Sequence, residues 1–307
     1  MRTEAQVAGP AGQVISARQP PARPRRSARP VLRVRRAFSQ GALQLALITA
    51  VVVVAFPVVY GAIVSTQAFQ DLFSIPPRLT PGEATLQNYA AAWRKANMGP
   101  LLVNSTIISV ATALGKIVLS LLAAFAFAYF RDFRGKTLFF VTILITHMLP
   151  LPVRIVPTYQ LMQTLGWVDS YYALTIPFFA SATGTLLFRQ FFLTVPPSLS
   201  EAARIDGAGP LRFLVQILLP LSLNNIAALF MVEFVYMWNQ YLWPLIVTTS
   251  QEMRVVQIGI KVLVAADAQA EWNVIMAGVM IAMIPPLLVV LALQRTFVRS
   301  LSLGTEK

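Results

Sequence analysis

Cysteine is absent and histidine occurs once, at His147. The first absence excludes disulfides and thiolate metal sites. The second excludes a zinc site built on several histidines. Charge is scarce as well: Asp, Glu, Lys and Arg make up 12% of the 307 residues, against roughly 25% in a soluble domain. So few charges do not cover a water-facing surface. A nucleotide site is also missing. A Walker loop needs Gly, four residues, then Gly-Lys-Ser/Thr. Gly135-Lys136-Thr137 carries the end of it, but Phe130 stands where the first glycine belongs. Gly115-Lys116 is followed by Ile117 and preceded at the key place by Val110. With one histidine and scattered acids, no convergent set for a membrane enzyme is visible.

What the chain has is apolar length: 56% hydrophobic residues and a mean hydropathy of +0.65. A membrane-crossing helix needs about 20 apolar residues. Six stretches qualify or nearly so: 43–64, 107–130, one from about 138 into Pro150 and Pro152, 171–188, 223–247 and 274–293. The third is short ahead of its prolines, which predicts a broken helix. The expected fold class is all-α integral membrane with six transmembrane helices. The first stretch is longer than a signal-peptide core and no cleavage site follows it, so it reads as a retained span.

The net charge of +13 is concentrated at one end. Nine arginines precede residue 40 with a single acid, Glu4, giving this tail +8. It is rich in Pro, Ala and Arg, which predicts a disordered basic tail over residues 1–40 and a membrane domain over 41–307. A basic tail beside a span fits anionic lipid and the positive-inside rule rather than nucleic acid. Six spans put both termini on one side. With the N-terminus inside, inner segments carry 18 Lys and Arg and outer loops 6, so both termini are expected in the cytoplasm. The outer segments 66–99 and 248–273 either meet an extracytoplasmic partner or are solvated connectors. Residues 88–95 are expected as a short surface helix.

That topology makes residues 198–220 a cytoplasmic loop. Its core reads EAARIDGAGPLRFLVQILLP. Pro196-Pro197 stops the preceding helix. Ser198 or Ser200 is placed to cap a new one, with Glu201 in its first turn. Gly207 suits a sharp turn. Pro210 suits a second helix start, and Leu211, Leu214, Ile217 and Leu218 form an apolar stripe. Glu201, Ala202, Ala203, Gly207, Ile217, Leu219 and Pro220 fix seven positions over twenty residues. This pattern resembles the EAA loop by which permease subunits of bacterial ABC importers dock on their ATPase.

The resemblance extends further. Ser181-Ala182-Thr183, residues 187–192, residues 238–244 (WNQYLWP), Ile284-Pro285-Pro286 and the run from Gln294 to Arg299 are similar to the carbohydrate-type permease family of the maltose-transporter class. It covers residues 40–307; the long arginine-rich tail departs from it. The likeness implies a type I ABC importer permease fold in the bacterial inner membrane, with span one against a second permease and spans two to six as core. It implies coupling residues Glu201, Ala202, Ala203, Asp206, Gly207, Ile217, Leu219 and Pro220. The implied partners are a homologous permease, an ATPase dimer that carries ATP and Mg, and an extracytoplasmic binding protein. No cofactor is implied on this chain. Within the family the likeness is to permeases of sn-glycerol-3-phosphate importers, which implies uptake of that compound or a glycerophosphodiester. The alternative is a neutral sugar or oligosaccharide.

Polar residues inside spans mark candidate pathway positions. A charge at a span centre costs about 2.5–3.5 kcal/mol on insertion scales. Lys116 and Glu233 sit near the middles of spans two and five; they either pair or line the pore. Tyr236 and Gln240 follow Glu233 at helical spacing. Asn239 and Gln240 suit hydroxyl ligands. Arg154 either meets a phosphate or anchors at the interface. Trp243 is expected in an aromatic belt at the outer interface.

Overall fold

A computed structural model describes the backbone of residues 30–130, 133–265 and 270–302. The tail through residue 29, Arg131 and Lys307 lie outside the described residues, as do the side chains up to residue 40 and those of His147 and Arg299. All regular structure among the described residues is helical. In order, the helices are α1 (Pro30–Val64), α2 (Thr85–Lys95), α3 (Met98–Tyr129), α4 (Lys136–Met148), α5 (Leu151–Thr164) and α6 (Tyr171–Thr175). They continue with α7 (Ala182–Thr194), α8 (Pro197–Ile205), α9 (Pro210–Phe213), α10 (Leu219–Leu221), α11 (Leu223–Trp238), α12 (Leu242–Val247), α13 (Val256–Ala265) and α14 (Trp272–Ser302).

Residues up to Phe56 form a unit of their own; the chain from Pro57 onward forms the other. In the first, α1 exposes apolar side chains such as Leu43, Val51 and Val54. In the second, α3 is central and packs most extensively on α7 and α11, while α11 also packs on α14. Lipid tails are as apolar as leucine, so close packing rather than expulsion from water must hold such helices together. The α3–α7 contact is built for it. Gly184 lies against Ser120, where a Cβ would collide with the hydroxyl and meet Leu229 Cδ2 at 2.9 Å. Only glycine lets the two backbones approach this far.

Three apolar clusters follow. One joins α2, α3, α11, α13 and α14 around Met98, Phe234 and Trp238. A second joins Ile108, Leu174, Phe178 and Trp243. The third joins α3, α7 and α11 to the 198–220 segment through Phe125, Phe188, Ala203, Phe213 and Leu218.

Among the described residues, three helices are long and apolar enough to cross a membrane: residues 41–64, α3 and residues 272–296. Two bent pairs raise this to five when each counts as one span. The third expected span is broken as the prolines required: α4 stops at Met148 and α5 starts after Pro150. The fifth is not continuous to residue 247. α11 ends at Trp238, and Asn239 Nδ2 bonds back to the Val235 carbonyl at 2.8 Å. Pro244 would clash with the carbonyl four residues earlier if helix ran through Gln240.

One further expectation is corrected. Trp243 is not in an interfacial belt: it is 1% exposed, and its Nε1 donates to the Ala173 carbonyl at 3.0 Å. Residues 88–95 do form a short helix, within α2, with Trp93, Arg94 and Lys95 exposed and Asn88 and Ala92 burying its other face. Asn88 Nδ2 donates to the Ser65 and Gln67 carbonyls at 2.9 and 2.8 Å, and its Oδ1 accepts from Asn273 at 2.9 Å. The end of α1, α2 and α14 are thereby tied by one side chain.

Candidate functional site

The 198–220 segment is a helix, a tight turn and a second, bulged helix. α8 begins at Pro197, with Pro196 as its cap residue. Neither serine caps it, since proline already starts the helix at its first position. Ser200 Oγ instead donates to the Pro197 carbonyl at 2.8 Å, and Glu201 falls after the first turn. α8 ends as a Schellman motif. Gly207, at φ +74°, donates to the Arg204 carbonyl at 3.1 Å, and Ala208 donates to the Ala203 carbonyl at 2.8 Å. The positive φ is the reason a glycine stands there.

α9 starts at Pro210, as its sequence indicated, then passes through a π-helical turn, Leu214–Leu218, into α10. The bulge resets the helical register. Phe213, Leu214 and Leu218 are buried, while Leu211 is 66% exposed and leaves the expected stripe. Ala203 is buried against the third cluster. Glu201, Ala202, Asp206, Gly207 and Pro220 are exposed; Ile217 and Leu219 are half-buried. Ile205 is a large apolar side chain at 86% exposure, and sequence reasoning passed over it because the motif does not fix it.

Lys116 and Glu233 pair. Lys116 Nζ lies 2.5 Å from Glu233 Oε2, and each residue is only 7% exposed. Glu233 Oε1 accepts from Ser181 Oγ at 3.2 Å. Ser181 also caps α7 by accepting from Gly184 N at 3.1 Å. The Lys116 ammonium sits 4.8 Å from the Tyr236 ring centroid. One knot thus joins α3, α7 and α11. Asn239 accepts from Gln257 at 3.3 Å. Gln240 follows the end of α11 and is half-buried, so it does not continue the Glu233–Tyr236 helical face. Arg154 is exposed on α5, apart from this group.

At the other end of α3, Asn104 Nδ2 donates to the Glu252 and Arg254 carbonyls at 2.5 and 2.9 Å, and its Oδ1 accepts from Tyr171 at 2.7 Å. Asp169, at φ +61°, accepts from Thr249 N and Ser250 N at 2.9 and 3.1 Å. Partial burial works against its charge. The two backbone amides and hydrogen bonds from the same two side chains outweigh that and hold its pKa below the ordinary 3.8. These staples were invisible in sequence, since each joins loops far apart in the chain. A cavity of about 1090 Å³ lies between the end of α3, the end of α7 and α8. Neither Lys116 nor Glu233 lines it.

The comparisons with known proteins place this array of apolar helices, with its helix–turn–helix at residues 197–221, in a family. Residues 116–303 match the family described as binding-protein-dependent transport system inner membrane component, and the chain belongs to it. Relatives named sn-glycerol-3-phosphate transport system permease protein UgpE include one from Agrobacterium fabrum, 48% identical over 86% of this chain and 95% of its own. One from Brucella melitensis is 47% identical over the same shares. One from Escherichia coli is 45% identical over 83% of this chain and 93% of its own. The fold matches a crystal structure of a bacterial ABC transporter involved in the import of the acidic polysaccharide alginate. The TM-score is 0.75 at 21% identity, over 86% of this chain and 98% of that one.

Proposed function

We propose that this chain is a permease subunit of an ATP-driven importer, forming half of the pathway for sn-glycerol-3-phosphate or a related glycerophosphodiester. The observation that carries the substrate is identity of 45–48% to proteins bearing that substrate in their names, over 83–86% of this chain. In this reading the chain crosses the inner membrane six times with both termini in the cytoplasm. The broken pair α4–α5 supplies one crossing. A second permease, an ATPase dimer with ATP and Mg, and an extracytoplasmic binding protein complete the machine.

Roles follow from the placement of each group. The outward face of α8, with Glu201, Ala202, Asp206 and the Gly207 turn, meets the ATPase. Ala203, Ile217 and Leu219 seat that segment on the bundle, and Pro220 stands exposed ahead of the turn into α11. Lys116 and Glu233 form an internal latch between helices. Tyr236, Asn239, Gln240 and Arg154 are the groups left to face a pathway. An anionic substrate favours Arg154 as a phosphate ligand, because guanidinium pairs well with phosphate oxygens.

The test is ATPase stimulation. The chain is purified in lipid with its co-encoded permease and ATPase, the binding protein is added, and glycerol-3-phosphate, glycerophosphocholine and maltose are compared. Stimulation by the phosphate compounds alone is expected. Stimulation by maltose alone keeps the importer and removes the substrate. Failure of any ATPase to co-purify removes the coupling role of residues 198–220.

A further inference from the structure

The cavity beside α8 has a mixed lining, of which the transport reading uses only Glu201. Among the described residues, Lys136, Arg189 and Arg204 line it with one carboxylate, Glu201. Arg189 lies over the Phe140 ring at 4.8 Å. Arg204 lies over the Tyr129 ring at 5.2 Å and donates from Nε to the Tyr129 hydroxyl at 3.2 Å. Neither guanidinium meets a carboxylate among the described residues. Two planar cations are therefore held by aromatic rings with hydrogen-bond donors to spare. Apolar residues line it too: Phe130 and Leu193, at the ends of α3 and α7, are 47% and 56% exposed. Cations beside exposed apolar side chains, at the ends of two membrane helices, match a charged head on an apolar tail.

The faces of α8 are divided accordingly. Pro197, Ser200, Glu201 and Arg204 line the cavity, at the three- and four-residue spacing of one face of α8, and Ala208 joins them from beyond its terminal turn. Ala202 and Ile205 do not line it and are exposed. A partner gripping Ala202, Ile205 and the edge at Glu201 leaves the rest of the cavity face, with Pro197, Ser200 and Arg204, unclaimed.

Resting on the importer reading for which side faces the cytoplasm, we propose that this cavity binds the phosphodiester headgroup of an anionic phospholipid of the inner leaflet. Arg189 and Arg204 ligate the phosphate oxygens. Phe130 and Leu193 meet the start of the acyl chains. The excess of positive charge selects an anionic over a zwitterionic headgroup, whose own ammonium is repelled. The lipid wedges between α3, α7 and α8, so it stiffens the seat of the coupling helix.

The experiment uses the assembled complex in nanodiscs with phosphatidylglycerol or phosphatidylcholine carrying a photoreactive headgroup. Labelled peptides are mapped in the parent, in Arg189→Gln with Arg204→Gln, and in Arg189→Lys. Phosphatidylglycerol should label residues 125–130 and 189–204. The double substitution should reduce that labelling on the order of tenfold, the loss of a charge-assisted hydrogen bond or two. The lysine variant should keep most of it. Equal labelling by both lipids, or labelling indifferent to the substitutions in protein that still assembles, overturns the proposal. Inorganic phosphate that abolishes labelling at this site overturns the lipid as occupant in favour of a free phosphate. Labelling is read without transport, so a parallel ATPase assay with glycerol-3-phosphate separates failure of the substrate from failure of the lipid site.

Discussion

Removing one member of the Lys116–Glu233 pair should be far worse than removing both. In Lys116→Met the Glu233 carboxylate stays at 7% exposure with a single donor, Ser181 Oγ at 3.2 Å. In Glu233→Leu the ammonium keeps only the face of Tyr236, a contact worth about 0.5–2 kcal/mol. Neither remaining contact replaces an ion pair, and breaking a buried pair from one side costs about 3–5 kcal/mol. The double variant leaves no orphan charge. Met and Leu have similar volumes to the residues they replace, and such swaps are often neutral or stabilising. Ser181 still accepts from Gly184 N, so its lost carboxylate partner should cost only about 1 kcal/mol. The double should therefore lie within about 1–2 kcal/mol of the parent, giving a coupling energy well above the 0.5 kcal/mol at which independent sites cease to add. Denaturant unfolding of the purified complex in mixed micelles, read on all four proteins, gives the cycle. Additive losses in the double would refute the account of the pair as mutually dependent.

Gly207→Asp should insert and fold, because nothing lies within 4 Å of the position. Its φ of +74° costs a non-glycine residue about 1–2 kcal/mol, so the turn shifts and substrate-stimulated ATPase falls; full transport at equal expression counts against the coupling role. Gly184→Ala should separate α3 from α7 by forcing Ser120 and Leu229 aside, at about 1–3 kcal/mol, seen as a lower unfolding midpoint. Asn88→Ala should cost about 1–3 kcal/mol by orphaning two buried carbonyls, whereas a substitution at exposed Leu86 should leave the midpoint unchanged. Asp169 gives a pH signature. Its folded pKa lies below the unfolded value of about 3.9, so its contribution is whole above that value and disappears as pH falls through the folded pKa. Asp169→Asn should lower stability at neutral pH and flatten the profile below about pH 4; a mutant profile parallel to the parent's down to low pH would exclude the staple.

The apolar runs marked where membrane helices lie because run length is a local property, and α1, α3 and α14 follow it closely. Pro150 and Gly207 were equally readable, since proline's missing donor and glycine's free φ act within a turn. Trp243 was misplaced because an amphipathic ring suits either a membrane boundary or a core with a spare acceptor. Only the fold supplies the Ala173 carbonyl that decides it. The Lys116–Glu233 pairing was legible as an option, because two charges at span depth demand partners, but 117 residues separate them in the chain. Asn88, Asn104 and Asp169 carried no signal at all. Each is an ordinary polar residue whose worth comes from backbone groups brought to it by tertiary structure. The π-helical turn at Leu214–Leu218 was also hidden, and it is what breaks the expected Leu211 stripe.

The arrangement suggests how a distant ATPase would move the pathway in the proposed importer. Ala203 of α8 and Phe213, Leu214 and Leu218 beyond it are packed in the same cluster as Ile117 and Phe188. Ile117 adjoins Lys116 in sequence, and Phe188 belongs to α7, whose cap Ser181 touches Glu233. A displacement of α8 therefore meets packed aromatic rings, not a hinge. Close-packed interiors resist compression and transmit strain, so α3, α7 and α11 should move with α8 as a body while the ionic knot holds their register. A lone apolar contact at that depth would slide more freely than a paired charge, whose rupture exposes two unsatisfied ions. The knot need not stabilise the fold to serve this purpose; it needs only to make the slipped register expensive. Double variants that lose the pair should then fold well yet couple poorly, with substrate-independent ATPase rising as transport falls. Intact coupling in a stable double variant would show that packing alone transmits the stroke.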